Sequence, residues 1–301
     1  MKLKRVLFLL ILLPFPLTIQ ASSNESNESN EYNKNDDTVY EVRTFDGTRI
    51  IGTLVREEED SITLDVKGVG EITIRRNNIA SITKLESAQF RDGRYWYPNP
   101  NATRHLFAPN ALSIGNGSGY YQNTWIFFNN FNYGITDRFS MGAGFIPIFL
   151  FGVSSLPIWV LPKYSLPLGT DKLHVSAGGM LGGVIGEGST GVGLVYGNAT
   201  YGGRDNNVTL GIGFGYQGND GFSDIPVINI AGMRRISQKY YVITENYFIS
   251  VDDEFETLGS IGIRYAPETF SIDFAILHPF GVGGGFIGIP WLGVTIPFSR
   301  Q

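Results

Sequence analysis

The sequence predicts an all-β protein in which a small five-stranded β module, residues 38–87, precedes an antiparallel transmembrane β-barrel of about twelve strands, residues 104–301. Three observations support this fold class. The last two thirds of the chain alternate apolar residues with small or polar ones at a period of two. Charged residues become sparse there, and most of the 38 glycines lie beyond residue 103. A shorter, charge-rich stretch of alternating segments precedes it.

The chain begins with a pattern typical of secretory signal peptides. A basic start is followed by an apolar stretch over residues 6–19, and we expect cleavage after residues 1–21. A membrane anchor is disfavoured because the stretch is shorter than the ~20 residues that a spanning helix needs and contains Pro14 and Pro16. Residues 22–37 are rich in Asn, Glu and Ser, which predicts a disordered polar linker.

Composition excludes several function classes. The chain has no cysteine, so it has no disulfide, no thiolate metal site, no cysteine nucleophile and no acylated lipoprotein cysteine. A formal charge of -5 gives no reason to expect nucleic acid as a partner. His105, at the start of the barrel segment, and His278 fit loop or interfacial roles, and neither has companions at metal-ligand spacing. We therefore expect no cofactor and no metal.

The module is predicted from five short alternating segments separated by turn residues. Asp46-Gly47, Glu58-Glu59-Asp60 and Lys67-Gly68 supply the turns. The dense charge of this stretch indicates a water-soluble curled sheet. The predicted strands are residues 39–43, 49–54, 61–66, 70–74 and 79–83.

The module resembles the Sm-like fold, a small barrel of the SH3-like kind. The resemblance is carried by Phe45-Asp46-Gly47, Ile51-Gly52-Thr53-Leu54, the acidic turn ending at Asp60, and Asn78-Ile79-Ala80-Ser81-Ile82. Neither the asparagine expected soon after the acidic turn nor a basic and aromatic cluster is present, so RNA binding is not expected. The resemblance implies the fold only.

Residues 88–103 are predicted to link the module to the barrel, whose alternation is clearest over residues 207–216. Apolar side chains there share one face, and Thr and Gly share the other. We expect lipid outside and a narrow lumen inside. The segments number eleven or twelve. If the first strand begins and the last strand ends on the periplasmic side, the number of strands must be even, which predicts twelve. Residues 145–161 are apolar enough for a helix, but Pro147 and Pro157 favour a hairpin.

The closing segment carries the most specific signal. Gly293, Val294, Ile296 and Phe298 lie in a strand with alternating apolar residues and an aromatic end. This resembles the C-terminal signal by which the outer-membrane barrel assembly machinery recognises its clients. One departure is that three residues follow Phe298.

Four charged residues are candidates for the lumen wall. Arg264 and Asp273 have the inner-face parity of their strands, whereas the parity of Glu245 is ambiguous because both faces of its strand contain apolar residues. Together with Arg235 they are either the polar wall of a pore or an internal salt-bridge plug.

His174 and Ser176 share one face at strand spacing, and Glu187 follows eleven residues after Ser176. The set resembles the His-x-Ser and later Glu of outer-membrane lipid A deacylases, which implies a histidine base that activates a serine against an ester. The ordinary interpretation is a hydrated lumen histidine beside a serine. Glu187 lies in a glycine-rich loop.

The order of signal peptide, polar linker, β module and barrel resembles that of outer-membrane β-barrel proteins of Gram-negative bacteria. We expect a non-enzymatic protein, structural or a narrow passive pore, with its module in the periplasm. Expected partners are outer-membrane lipid, the barrel assembly machinery, and a periplasmic protein or envelope component. The alternatives are a lipid-modifying hydrolase using His174 and Ser176, and a soluble periplasmic binding protein, since soluble β proteins alternate in the same way.

Overall fold

A computed structural model describes residues 38–85, 90–91, 94–147, 152, 155–185, 191–251, 254–281 and 286–299. The chain divides into two compact units, Met1–Ser87 and Ala88–Gln301. The predicted signal peptide, 1–21, and polar linker, 22–37, lie outside the described residues. Within the part of the chain that the structure describes, no helix is long and apolar enough to cross a membrane.

The first unit contains a five-stranded antiparallel sheet in the order β4-β3-β2-β1-β5. Its centre is a cluster of buried apolar side chains, Val42, Ile62, Leu64 and Ile74. The predicted five-stranded sheet is confirmed, and its Sm-like identity stays a prediction. The strands are β1 (Val39–Thr44), β2 (Arg49–Glu57), β3 (Ser61–Val66), β4 (Gly70–Arg75) and β5 (Ile79–Leu85).

A carboxylate is buried on β1 between two arginines. Glu41 is 6% exposed and accepts a 2.7 Å hydrogen bond from Nε of Arg49, while Arg43 donates to its other oxygen. Burial by itself would raise the pKa of Glu41, but the hydrogen bonds from Arg43 and Arg49 and the attraction of both charges outweigh it, and the pKa is lowered. The ionised carboxylate therefore stabilises this sheet.

The second unit is a closed antiparallel barrel of twelve strands, as the sequence predicts. One of the twelve is interrupted at Leu161 and Pro162, where β11 gives way to β12, and both halves pair with β13. β11 also pairs antiparallel with β10, Phe145 opposite Ile158, so the described ends of the apolar stretch 145–161 are paired strands, as the predicted hairpin requires, and residues 148–151 and 153–154 lie outside the described residues. The strands are β8 (Ser118–Thr124), β9 (Phe128–Gly134), β10 (Phe139–Phe145), β11 (Leu156–Val160), β12 (Lys163–Leu166), β13 (Leu173–Ile185), β14 (Val192–Gly202), β15 (Asn206–Gln217), β17 (Val227–Arg235), β18 (Tyr240–Val251), β19 (Glu254–Tyr265), β20 (Ser271–Phe280) and β21 (Ile289–Ser299).

Three very short strands lie outside the wall of twelve. β6 (Phe90–Arg91) pairs with β7 (Arg94–Tyr95) just before the barrel, and β16 (Gly221–Phe222) extends the pairing of β15. The twelve strands therefore count β11 and β12 as one and leave these three out.

The last strand closes the barrel by pairing with the first. The register of β21 on β8 runs from Gly293 opposite Thr124 to Ser299 opposite Ser118. Phe298 pairs with Gly119, and its ring occupies the place where a side chain on Gly119 would begin. The residues of the predicted assembly signal thus form the seam of the barrel.

The wall has an apolar outside and a polar inside. On β15, Leu210 is 56% exposed while its neighbour Thr209 is 0% exposed. The same alternation follows β19 and β21, where Ile263 and Ile296 point outwards and Arg264 and Thr295 are buried. Strand parity therefore agrees with the sequence pattern around most of the circumference.

The two ends of the barrel differ. β8 begins and β21 ends at one end, which we call the turn end; the short connections 135–138, 203–205 and 236–239 lie there too. The opposite end, which we call the loop end, holds the three longest connections, 146–155, 218–226 and 281–288, together with 125–127, 186–191 and 252–253.

Candidate functional site

The barrel interior is filled towards the turn end by residues 97–112, which we call the inner segment. Asn101 and Arg104 are 1% exposed, and His105 and Asn110 are 0% exposed. The segment contacts lumen-facing residues of strands as far apart as β12, where Lys163 donates to its backbone carbonyls, and β21, where Thr295 accepts from Arg104. The lumen is therefore occupied by the protein's own chain at this level.

The inner segment is irregular because its composition does not favour a strand or a helix. Proline at positions 98, 100 and 109 has no N–H to satisfy. Two asparagines accept from the backbone two residues later, Asn101 N–H to Asn99 Oδ1 and Leu112 N–H to Asn110 Oδ1, both at 3.0 Å. Such a buried, irregular backbone persists only where its other polar groups find partners in the wall.

Arg264 supplies one set of partners. Its guanidinium forms a two-pronged pair with Asp273, with Nε 2.6 Å from Oδ1 and Nη2 2.9 Å from Oδ2. The remaining N–H groups donate to the backbone carbonyls of Asn101 and His105 at 2.5 Å each. A fully buried arginine needs this saturation, because an unpaired charge in the interior costs several kcal/mol.

Glu245 supplies the complementary set. Its carboxylate accepts from three successive backbone N–H groups, those of Leu106, Phe107 and Ala108, at 2.9 to 3.2 Å. The Tyr247 hydroxyl donates to the same carboxylate at 2.6 Å. One side chain of β18 therefore holds the tip of the inner segment by three backbone donors, and the Tyr247 hydroxyl of the same strand is its fourth donor.

Other wall residues bind the segment around the circumference. Lys163 on β12 donates to the carbonyls of Asn110 and Leu112 at 3.1 and 2.7 Å. Thr200 on β14 accepts from the N–H of Ala111 at 2.8 Å. Near the turn end, Arg235 donates to the Tyr97 carbonyl and to Asp205, and its guanidinium lies 4.9 Å from the Trp96 ring.

The structure places all four predicted lumen charges on the inner face, at 6% exposure or less. Arg264 and Asp273 pair with each other, whereas Arg235 pairs with Asp205 and Glu245 binds backbone N–H groups. The arrangement is that of an internal plug. The sequence prediction did not include Arg104 or Lys163 among the lumen charges. For Lys163, its position on the inward-facing side of the strand, next to Pro162, was the signal that could have identified it.

Two expectations about the start of the barrel differ from the structure. His105 was expected in a loop or interfacial role, but it is fully buried, with Nε2 2.9 Å from Asn207 Oδ1. The stretch 88–103 was expected to be a linker, but Tyr97, Asn99 and Asn101 are buried inside the barrel. The physical reason is the same in both cases. Histidine, asparagine and tyrosine side chains can form hydrogen bonds with polar groups inside the barrel as readily as with water.

The candidate hydrolase residues His174 and Ser176 lie on the lumen side of β13. Ser176 is 1% exposed, and its Oγ and the Nε2 of His174 are buried without a hydrogen-bond partner among the described residues. Both face the lumen rather than lipid, in register with Asn198 and Thr200 of β14. Glu187 lies outside the described residues. The described histidines and carboxylates form no group that could hold a metal ion.

A cavity of about 480 Å³ lies beyond the tip of the inner segment. Phe107 and Arg104 of the segment line it, as does Trp125 in the connection between β8 and β9 at the loop end. The barrel therefore contains a closed half towards the turn end and a hollow half towards the loop end.

No protein-family model and no curated protein matches the chain. Among solved structures, the chain is similar to the KdgM porin at 9% identity and a TM-score of 0.45, covering 61% of this chain and 99% of that one. The KdgM porin in complex with disordered oligogalacturonate gives 8% and 0.44, with 61% and 98% covered. A loop-deletion mutant of OmpT, an outer membrane protein of Vibrio cholerae, gives 10% and 0.34, with 87% and 96% covered. At these values the likeness carries no argument about function.

Proposed function

We propose that the protein is a non-enzymatic outer-membrane barrel that its inner segment keeps closed, with a structural role rather than that of an open passive pore. The observation that carries the proposal is the binding of the segment by Arg264 and Glu245. Together these two side chains bond to six residues of the segment, from Asn101 to Ala108. Solutes would pass only if the segment moved.

The membrane location rests on the polarity of the wall. Soluble barrels place apolar residues inside and polar ones outside, and this barrel does the reverse. Large apolar side chains such as Leu210, Ile261 and Phe274 are more than half exposed. A continuous apolar outer surface of this kind is stable in lipid and prone to aggregation in water. This observation favours the membrane over a soluble periplasmic binding protein.

The proposed orientation places the turn end in the periplasm. Outer-membrane barrels have short periplasmic turns and longer extracellular loops, and the three longest connections here, 146–155, 218–226 and 281–288, lie at the loop end. The module that precedes β8 in the chain would then be periplasmic. We propose that it is Sm-like and binds a periplasmic protein or envelope component, and that Gly293, Val294, Ile296 and Phe298 act as the assembly signal.

Cell fractionation and bilayer recordings test this proposal. The protein should fractionate with outer membranes and migrate differently on gels before and after boiling, as folded barrels do. In planar bilayers it should be silent, whereas a variant lacking residues 98–112 should conduct. Steady conductance by the unmodified protein would refute the closed barrel, and recovery in the soluble fraction would refute the location.

A further inference from the structure

The hollow half of the barrel combines polar side chains, such as Asn130 and Asn198, with a group of large apolar ones, although the lumen of a transmembrane barrel is usually polar. Met180, Leu194, Leu258, Leu277 and Trp291 line the cavity. Phe107, at the tip of the inner segment, remains 42% exposed beside Trp291, with ring centroids 6.3 Å apart. These side chains form a surface that water wets poorly. A volume of about 480 Å³ falls within the roughly 300–1,000 Å³ typical of small-molecule sites.

The loop end of the cavity is built with backbone strain. Trp125 and Ile126 have φ values of 49° and 69°, in the left-handed region that side chains other than glycine rarely adopt. The strain is compensated because Nε1 of Trp125 donates to the Pro290 carbonyl at 2.7 Å and its ring packs on Trp291 at 4.9 Å. Strain of this kind concentrates at sites that position a side chain against a ligand.

Two cations lie at the opposite, inner end of the cavity. Arg104 donates from Nε to Asn101 and from Nη2 to Thr295, but its buried Nη1 has no hydrogen-bond partner among the described residues. Lys163 bonds only to backbone carbonyls in the described part of the chain. Neither cation has an ion-pair partner among the described residues, and both line the cavity.

Glu245 also lines the cavity, but its carboxylate is already saturated by three backbone N–H groups and the Tyr247 hydroxyl. A ligand would therefore find an apolar enclosure whose inner end offers an unused guanidinium N–H and an ammonium group. This combination suits a molecule with an apolar body and one anionic end.

We propose that the cavity binds one molecule of an apolar monocarboxylic acid, with its chain among Met180, Leu194 and the tryptophans and its carboxylate at Nη1 of Arg104. Lys163 adds a second positive charge near the same end. The inference goes beyond the closed barrel and does not depend on how the barrel conducts.

Equilibrium binding to the full chain in lipid nanodiscs tests the charge requirement, with empty nanodiscs as the blank for partition into lipid. Radiolabelled dodecanoic acid, dodecanol and dodecylamine are the probes. We expect saturable retention of the acid, weaker retention of the alcohol and no saturable retention of the amine. The Arg104→Gln variant should weaken acid binding about tenfold or more and leave alcohol binding within about twofold.

A matched pair of substitutions on β14 tests the location. Leu194 lines the cavity, whereas the next residue, Val195, faces outwards. Leu194→Trp should abolish retention of acid and alcohol, and Val195→Trp should leave both unchanged. Heat-modifiable mobility on gels verifies that each variant is folded, so a loss of binding is not confused with misfolding.

Three results would overturn the proposal: retention of the acid no greater than in empty nanodiscs, equal binding of the acid by folded Leu194→Trp, or preferential binding of dodecylamine. The last result would assign the site to Glu245 instead. Arg104 lies in the inner segment, so the site rests on the docked segment, but none of these readouts measures conductance, and a failure of the site is distinguished from a failure of the closed barrel by the bilayer recordings.

Discussion

Replacement of Glu245 by glutamine is the sharpest test of how the inner segment is held. The carboxylate now accepts from the N–H groups of Leu106, Phe107 and Ala108 and from the Tyr247 hydroxyl. Glutamine has nearly the same shape but a single acceptor oxygen, and its NH2 group is a donor. The substitution therefore sets donor against donor inside the barrel without creating a cavity.

The magnitude follows from the number of donors that lose an acceptor. The amide oxygen can keep about two of the four, and each buried donor left unsatisfied costs about 1–3 kcal/mol. The bound state of the segment should therefore be weakened by about 2–6 kcal/mol before local relaxation. The population of the released state should rise by about thirtyfold or more.

Cysteine accessibility measures that population directly, because the chain has no cysteine of its own. Ala111 is 1% exposed within the inner segment, so Ala111→Cys should react slowly with a maleimide in an otherwise unmodified protein. Addition of Glu245→Gln should accelerate the reaction in proportion to the released fraction. Thr170→Cys, on an exposed turn, is the control and should react at the same rate in both backgrounds.

Equal labelling rates for Ala111→Cys with and without Glu245→Gln would refute the reasoning, provided that both proteins retain heat-modifiable mobility. Such a result would mean that the Arg264 and Lys163 contacts hold the segment without help from Glu245. Bilayer recordings give a second readout, since release should produce brief openings that the unmodified protein lacks.

Three further predictions concern other parts of the chain. Leu210→Arg, on the outer face of β15, should lower the unfolding free energy in lipid by about 2–4 kcal/mol, measured by urea titration in vesicles, and a cost near zero would contradict a lipid-facing position. Because the pKa of Glu41 is lowered in the folded module, its stabilisation is complete above the ordinary carboxyl range and is lost as pH falls through the lowered value. Lowering the pH should therefore reduce the protection of the β1 amides from hydrogen exchange less in Glu41→Gln than in the unmodified protein. Ser176→Ala should leave lipid and ester turnover at background; measurable turnover that disappears in this variant would instead establish the hydrolase.

The wall of the barrel was predictable because lipid imposes a strict alternation on it. Each outward position of β15 must be apolar, and each inward one must be small or polar to fit a narrow lumen. Closure by β21 was predictable for the same reason, together with the aromatic end at Phe298. The number of strands is then even because the first strand begins and the last strand ends at the same end of the barrel.

The inner segment was not predictable in this way. Its contacts join residues more than a hundred positions apart, such as Asn101 to Thr295 and Leu106 to Glu245, and no period in the sequence records them. Asparagine and proline at positions 98–101 are equally typical of an exposed linker. The parity of Glu245 was ambiguous because β18 carries apolar residues on both faces, and the structure shows why: Ile243 is buried in the same apolar cluster as Leu106 and Trp291, on the inner face of the strand.

The closed half and the hollow half of the barrel share side chains, which leads to a last prediction. Arg104 and Phe107 belong to the inner segment and also line the cavity, so a ligand that contacts them binds the docked segment better than the released one. Linkage requires the effect to be reciprocal. Dodecanoic acid should slow maleimide labelling of Ala111→Cys, and Glu245→Gln should weaken retention of the acid to the extent that it lowers the docked fraction of the segment. Dodecanoic acid that binds saturably without changing the labelling rate would show that the two halves are energetically independent.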